Sequence, residues 1–154
     1  MTDEDVSTQV TPLEQFLTYR LARIQSKLTA KDSRMLRELA GITSTQWRII
    51  AILGCHGLCT AAQLSRIATM DKGLISRTVK SLQAEGLIST TRKATDNRAM
   101  YLDLTVAGRD IFDRMMPRMQ ARQTALRAYL DGLPTDMLNR AFDCLERAAE
   151  DPAF

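Results

Sequence analysis

Seven basic side chains lie in the middle of the sequence, between Thr60 and Leu104, where only four acidic residues occur. The basic residues are Arg66, Lys72, Arg77, Lys80, Arg92, Lys93 and Arg98. The whole chain of 154 residues has 21 basic and 18 acidic residues, so this segment carries the entire formal excess of +3. Guanidinium and ammonium groups gathered in one segment attract negatively charged partners. The charge distribution therefore predicts that the middle third of the chain meets a polyanion.

Few residues could bind a metal ion or act as a nucleophile. Cys55, His56 and Cys59 crowd into five residues with no second cluster, whereas tetrahedral zinc needs four ligands. With Cys144 there are three cysteines, too few for a disulfide scaffold. The sequence has no glycine-rich phosphate loop and no nucleophile motif. We therefore expect no metal, no other cofactor and no enzymatic activity.

The composition, with 45% hydrophobic and 25% charged residues, is typical of a globular protein with one sizeable core. No run approaches the ~18 consecutive apolar residues of a membrane span. Residues 1–10 are polar and acidic, and they lack the basic start and apolar stretch of a signal peptide. We expect a flexible tail at residues 1–10, a single domain over residues 1–154, a cytoplasmic location and no membrane partner.

Apolar residues at helical spacing predict four helices in the first part of the chain. The first helix begins at Pro12 and ends at Gly41, and the second follows Thr43 or Ser44 and ends near Gly54 and Gly57. The third helix follows Thr60, with Leu64 and Ile67 facing inward. The fourth helix runs from Asp71 to about Glu85. Each start has a residue type that caps helix N-termini or tolerates the first turn.

After the fourth helix, the spacing of apolar residues changes from the helical period to the alternation that is typical of β-strands. A strand from Leu87 to Thr91, a polar loop at Arg92–Asn97 and a strand at Met100–Leu104 predict a β-hairpin with a charged tip. Two more helices follow, one from Thr105 to about Asp131 with a bend at Pro117, and a last one from Pro134 and Thr135.

The predicted order is α-α-α-α-β-β-α-α, a mainly α fold with one small β-hairpin. Residues 43–104, with a helix-turn-helix followed by the hairpin, make up a winged helix. The helices at residues 11–40 and 106–150 are expected to dimerise, because amphipathic helices outside the central unit need a packing partner. Their candidate dimer residues are Leu13, Phe16, Leu17, Leu138, Phe142 and Leu145.

The sequence resembles the MarR family of bacterial transcription regulators over nearly its whole length. The resemblance is carried by the stretches at 42–53 (ITSTQWRIIAIL), 61–88 (AAQLSRIATMDKGLISRTVKSLQAEGLI) and 96–110 (DNRAMYLDLTVAGRD). Its most specific element is Asp96-x-Arg98, followed by Leu104-Thr105 and then by Gly108. This family resemblance implies a homodimeric, DNA-binding repressor with a winged helix-turn-helix.

The resemblance also implies that the fourth helix is the recognition helix in the major groove of DNA. Its polar face carries Lys72, Gly73, Ser76, Arg77 and Lys80. Arg77, Ser76 and Lys72 are expected nearest the bases, because arginine reads guanine edges with two hydrogen bonds. Gly73 would let the backbone approach closely, and Lys80 would bind phosphate. The start of the third helix, at Thr60, can donate backbone N–H groups to a phosphate.

The hairpin is the expected wing. Arg98 is its main candidate for the narrow minor groove, where concentrated negative potential attracts arginine. Asp96 would orient the Arg98 guanidinium, or the two would simply form a structural pair that fixes the turn. Arg92 and Lys93 would add non-specific attraction to DNA.

The family resemblance further implies a small-molecule effector that releases the protein from a palindromic operator. The candidate ligand residues are Phe16, Arg20, Ile24, Trp47, Arg48, Met115 and Met116. Methionines adapt to varied apolar ligands and an arginine can bind a carboxylate, which would suit a small aromatic acid. Ordinary packing is the competing interpretation for each of these residues.

Two alternatives remain open at the level of sequence. Cys55 and Cys59 lie at the turn between the second and third helices, where oxidation could shift the DNA-reading unit. A winged-helix module that binds protein instead of DNA would share the same fold.

Overall fold

The computed structural model describes residues 12–93 and 96–153, with side chains described for all of these except 93 and 96–99. A short 3-10 helix, Leu13–Gln15, precedes the regular elements. These are α1 (Leu17–Ala40), α2 (Ser44–His56), β1 (Cys59–Thr60), α3 (Ala61–Ala68), α4 (Lys72–Ala84), β2 (Ile88–Lys93), β3 (Asp96–Leu104), α5 (Val106–Ala128) and α6 (Thr135–Glu150). The mainly helical fold with a small antiparallel sheet is confirmed.

The helices of the central segment begin where their capping residues predict. The hydroxyl of Thr43 accepts from the Gln46 backbone N–H at 3.2 Å, and the Gln46 side chain accepts from the Thr43 N–H at 2.9 Å. Thr60 and Gln63 form the same reciprocal capping box at the start of α3. Each box satisfies backbone N–H groups that have no partner within the helix.

The start of the first helix differs from the sequence prediction. Phe16 adopts an extended backbone, with ψ 128°, between the 3-10 turn and Leu17, so the α-helix does not begin at Pro12. A 3-10 helix has three residues per turn, close to the spacing of three to four residues in an α-helix. The spacing of apolar residues therefore does not reveal the break at Phe16. The end of α1 is as predicted, because Gly41 has a φ of 67°, a left-handed conformation that glycine adopts without strain.

The prediction that Ile67 faces inward is wrong, since this side chain is 41% exposed. Leu64 and Ala68 are the buried residues of α3. They lie four residues apart, and a helix of eight residues has only a narrow inward face.

The sheet has three strands in the order β1-β3-β2, all antiparallel. Strand β1 was not predicted, because two residues are too few for an alternating pattern; its Cys59 pairs with Leu102. The hairpin strands are also longer than predicted. Arg92 and Lys93 belong to β2, and Asp96 and Asn97 to β3, instead of a loop. A two-stranded ribbon with polar residues on both faces shows no alternation of apolar and polar residues in the sequence, although its backbone hydrogen bonds continue.

Two compact units divide the chain, one up to Met115 and one from Met116. The first contains the winged helix and its core, whose fully buried side chains are Leu36, Ile42, Ile49, Ile50, Leu53, Leu64, Ile75, Leu82 and Met115. The second contains the remainder of α5 and all of α6, in which no residue is fully buried. None of the helices in the described residues is both long and apolar enough to cross a membrane.

The junction between the wing and α5 explains the Leu-Thr-x-x-Gly pattern of the sequence. Thr105 caps α5 by accepting from the Gly108 N–H at 3.1 Å, and its hydroxyl donates to the Gly86 carbonyl at 2.7 Å. Its own N–H donates to the Leu87 carbonyl at 3.1 Å. A Cβ at position 108 would overlap that carbonyl oxygen and lie 3.1 Å from its carbon. Only glycine therefore fits where α5 crosses the chain leaving α4.

Candidate nucleic-acid interface

Helix α4 separates a buried face from a polar one, as a recognition helix requires. Its buried residues are Ile75, Thr78, Val79 and Leu82. Lys72, Gly73, Ser76, Arg77 and Lys80 are all exposed. Thr78 is a polar member of the buried face that the sequence did not reveal, and its hydroxyl donates to the Leu74 carbonyl at 2.8 Å. The predicted DNA-facing residues of this helix are thus available to a partner.

A tight turn fixes where α4 begins. Asp71 caps the helix by accepting from the Leu74 N–H at 2.8 Å. Before it, Thr69 has a φ of 52°, the one left-handed non-glycine residue in the part of the chain that the structure describes. The Ser65 hydroxyl donates to the Met70 carbonyl at 2.6 Å and secures the same turn from α3. These bonds orient α4 relative to α3.

A groove of about 440 Å³ separates α4 from the hairpin. It is lined by Ala61, Ala62, Lys72, Ile75, Ser76, Val79, Lys80, Gln83, Thr90, Met100 and Leu102. The structure therefore brings the start of α3, the polar face of α4 and the wing together around one concave surface. Two lysines and one serine on this surface can donate hydrogen bonds to phosphate oxygens.

Arg77 lies on the other side of α4. It lines a second groove, of about 390 Å³, with Thr43, Gln46, Thr78, Ser81 and Glu85. Lys72 and Lys80 thus flank the wing side of the helix, whereas Arg77 flanks the side of α2. The sequence placed all of them on one polar face and did not distinguish these two sides.

The wing is attached to the recognition helix by a direct hydrogen bond. Gln83 Nε2, in the last turn of α4, donates to Thr90 Oγ1 in β2 at 2.7 Å. Arg92 is exposed further along β2, opposite Met100. The backbones of Lys93 and Asp96 pair where the ladder is irregular, and Arg98 follows in β3. The predicted roles of Lys93, Asp96 and Arg98 concern side chains that lie outside the described residues.

The candidate ligand residues differ in how exposed they are to solvent and in which part of the chain they belong to. Phe16 and Ile24 are 45% and 54% exposed, and Arg20 is exposed between them. Met115 is in the core, at 1% exposure. Met116 belongs to the second compact unit.

Trp47 and Arg48 already have partners within the first unit. The Trp47 ring stacks on Phe112 with centroids 6.3 Å apart, and Arg48 donates to the Ala68 carbonyl at 3.2 Å. This carbonyl is the last one of α3. Arg48 therefore stabilises the helix-turn-helix whether or not it also meets a ligand.

The cysteines differ in their surroundings. Cys55 is exposed and Cys59 is buried, and all three cysteines are free. Burial, followed by the charge of Asp103, raises the pKa of the Cys59 thiol above its ordinary value. Since the thiolate is the reactive form, Cys59 is poorly suited to oxidation. No group of three or more metal-ligating side chains occurs within the described residues.

Residues that sequence reasoning missed connect α4 to its surroundings. They are Gln46, Ser81 and Glu85 on the α2 side and Gln83 and Thr90 on the wing side. Only Gln46 had a signal in the sequence, as the fourth residue of the Thr-x-x-Gln capping box.

Comparison with known proteins agrees with this architecture. A sequence model described as the MarR family matches residues 42–100, from the residue before the α2 cap to the wing. The chain is 26% identical over 102 residues to the HTH-type transcriptional repressor IacR of Pseudomonas putida, covering 66% of this chain and 60% of IacR. The match therefore spans less than two thirds of the length of that relative.

Solved structures extend the likeness beyond the central segment. The MarR/EmrR family transcriptional regulator from Acinetobacter sp. ADP1 matches with a TM-score of 0.77 at 25% identity, covering 91% of this chain and 96% of that one. Bordetella bronchiseptica BpsR, whose DNA binding is regulated by 6-hydroxynicotinic acid, shares the fold with a TM-score of 0.72 at 16% identity, covering 92% and 99%. The central segment of the chain therefore matches the MarR family, and the fold is that of winged helix-turn-helix transcriptional regulators of this family.

Proposed function

We propose that this DNA-binding regulator is a homodimeric repressor, acting in the cytoplasm, that binds a palindromic operator and is released by a small molecule. The observation that supports the proposal is the exposed face of α4, which lies opposite the buried face of the same helix and carries Lys72, Ser76, Arg77 and Lys80. A helix held in this way can enter a major groove ~12 Å wide without losing its packing.

Each residue that α4 is predicted to present to DNA has a role that its position supports. Arg77 reads a base edge, since its planar guanidinium can donate two parallel hydrogen bonds, and Ser76 adds a contact beside it. Lys72 contacts a base edge near the start of α4, and Lys80 binds phosphate. Gly73 has no side chain, so the backbone there can approach the DNA closely. The atoms nearest to a Cβ at this position belong to Asp71 and Arg77.

The elements beside α4 contact the DNA backbone. The first residues of α3, Ala61 and Ala62, border the wing-side groove, and their backbone N–H groups can donate to a phosphate. In the wing, Arg98 enters the minor groove with Asp96 orienting it. Arg92 and Lys93 strengthen binding without selecting sequence.

Dimerisation is supported by apolar side chains that α1 and α6 leave at the surface of their own units. Leu17, Phe16 and Leu13 are 53%, 45% and 56% exposed, and Phe142 is 49% exposed. Leu138 and Leu145 are half-buried. A second copy is the partner that a MarR-type regulator offers. A two-fold dimer would place two α4 helices ~34 Å apart, on successive turns of a palindrome.

Release by a small molecule requires an effector that binds the DNA-incompetent state more tightly than the competent one. A coupling of ~1–3 kcal/mol would lower operator affinity about 5- to 150-fold. Regulation of BpsR by 6-hydroxynicotinic acid supports an aromatic acid as the first class to screen. Phe16, Arg20, Ile24, Trp47 and Arg48 are the positions in which substitutions should be tried first.

The test measures binding to the DNA around the protein's own gene by mobility shift at two salt concentrations. Wild type should bind this DNA more tightly than random duplex, and affinity should fall as salt rises. Arg77→Ala should lose about 1–3 kcal/mol on the operator and relax the sequence preference. Lys80→Ala should weaken binding to both duplexes alike and reduce the salt slope by about 1.

Arg127→Ala, which removes an exposed arginine near the end of α5, is the matched control and should bind as wild type does. Absence of binding to either duplex at low salt would refute the DNA-binding proposal and favour a protein-interaction module. Binding that is unaffected by Arg77→Ala but lost in Arg98→Ala would transfer sequence reading from α4 to the wing. A light-scattering mass of one chain in the DNA-bound state would refute the dimer.

A further inference from the structure

We propose that Gln46 is a positioning residue for sequence reading, which holds the C-terminal end of α4 in place through Glu85. The proposal rests on the proposed role of α4 in DNA recognition. It assigns a functional part to a residue on α2 that is not expected to touch DNA.

The Gln46 side chain uses both ends of its amide. Its Oε1 accepts from the Thr43 N–H at 2.9 Å and so caps α2. Its Nε2 donates to Glu85 Oε1 at 2.7 Å, and the Ser81 hydroxyl donates to that same oxygen at 2.7 Å. Gln46 is only 8% exposed, so its amide depends on protein partners for its hydrogen bonds, and a weaker contact from Nε2 to the Ser81 hydroxyl at 3.4 Å accompanies the bond to Glu85. One side chain therefore joins the start of α2 to the end of α4.

The connection from Gln46 reaches the recognition helix at Glu85. It is the C-cap of α4, and Gly86 with a φ of 69° follows immediately. A carboxylate at this end opposes the helix dipole, so its placement depends on donors such as Gln46 and Ser81. The other end of α4 is held by Asp71. The two attachments together set the rotation of α4 about its axis.

Arg77 shares the surface that this connection forms. It lies four residues before Ser81 and eight before Glu85, on the same side of the helix. All three residues line the 390 Å³ groove with Gln46. Rotation or fraying of the end of α4 would therefore displace the guanidinium that is proposed to read a base. Specific binding should depend on the connection more strongly than binding to random duplex.

The substitution Gln46→Glu separates this role from capping. Glutamate at this position keeps an oxygen for the Thr43 N–H, and Thr-x-x-Glu is itself a capping box. It replaces the amide donor with a negative charge that faces Glu85. The double variant Gln46→Glu with Glu85→Gln exchanges donor and acceptor and keeps the net charge of the wild type.

We expect Gln46→Glu to lower operator affinity about tenfold, the equivalent of about 1.4 kcal/mol. Affinity for random duplex should change about twofold or less. The double variant should recover operator affinity to within about threefold of wild type. A merely structural role would weaken binding to the operator and to random duplex alike.

Amide hydrogen exchange of the free protein provides a readout that does not involve DNA. Gln46→Glu should accelerate exchange at the amides of Glu85, Gly86 and Leu87, which bond to Ser81, Gln83 and Leu82. The double variant should restore protection. Unchanged exchange in Gln46→Glu, or a double variant as defective as the single one, would overturn the inference. Failure of wild type to bind the operator would instead count against the proposed function, while the exchange experiment would still decide about Gln46.

Discussion

Replacement of Gly108 by alanine tests the packing of the wing against α5. The new Cβ would overlap the carbonyl oxygen of Leu87 and lie 3.3 Å from Cδ2 of Leu104. The atom that the new Cβ meets belongs to the backbone of Leu87, and hydrogen bonds fix this peptide on both sides. The Leu87 N–H donates to the Leu82 carbonyl at 2.9 Å, and its carbonyl accepts from Thr105 at 3.1 Å. The overlap can therefore be relieved only by moving α5 or by breaking the bond to Thr105.

The magnitude follows from three contributions. Overpacking a core costs about 1–3 kcal/mol. Loss of the bond between Leu87 and Thr105 costs about 1 kcal/mol. Alanine stabilises a helix interior by about 1 kcal/mol relative to glycine, which offsets part of this. We expect Gly108→Ala to lower the free energy of unfolding by about 2 kcal/mol, or the Tm by roughly 4–8 °C for a chain of this size.

The assay is urea unfolding followed by circular dichroism at one fixed protein concentration, since the stability of a dimer depends on concentration. Gly73→Ala is the matched control, because Gly73 is also a helical glycine but is exposed and meets only side-chain atoms, at 3.1 Å or more. Its midpoint should fall less than that of Gly108→Ala, because the Asp71 side chain can move aside more easily than the Leu87 backbone. A midpoint for Gly108→Ala at or above wild type would show that the Leu87 backbone yields readily, contrary to our reasoning.

Three further outcomes are expected. A Cβ at Gly54 would overlap the ring of Phe112, so Gly54→Ala should cost about 1–3 kcal/mol of stability, and the cost should fall in a Phe112→Leu background; an equal cost in both backgrounds would exclude the ring as the cause. Asp71→Ala should cost about 1 kcal/mol through loss of the α4 cap, whereas Asp71→Asn should cost little, and equal urea midpoints for both variants would contradict this. Cys55 should be alkylated by iodoacetamide faster than Cys59 at pH 8, because burial and the raised pKa keep Cys59 as a thiol; mass spectrometry showing the reverse order would be inconsistent with this structure.

Local interactions were determined by the sequence itself. Thr43, Thr60 and Asp71 each cap a helix by bonding to a backbone N–H three residues later, so the pattern and the bond lie in the same short segment. Gly41 ends α1 for an equally local reason, its left-handed φ. Helix order, the hairpin and the polar face of α4 could be predicted because periodicity and capping record them directly.

Contacts between distant segments were decided by the tertiary structure alone. Gln46 and Glu85 are 39 residues apart, and their hydrogen bond depends on how α2 packs against α4. The two-residue strand β1 exists because β3 offers it a backbone partner. The assignment of Lys72 and Arg77 to opposite grooves likewise depends on what lies beside each edge of α4. A helical wheel gives the direction of a side chain from its own helix, but only the packed fold supplies the neighbour it meets.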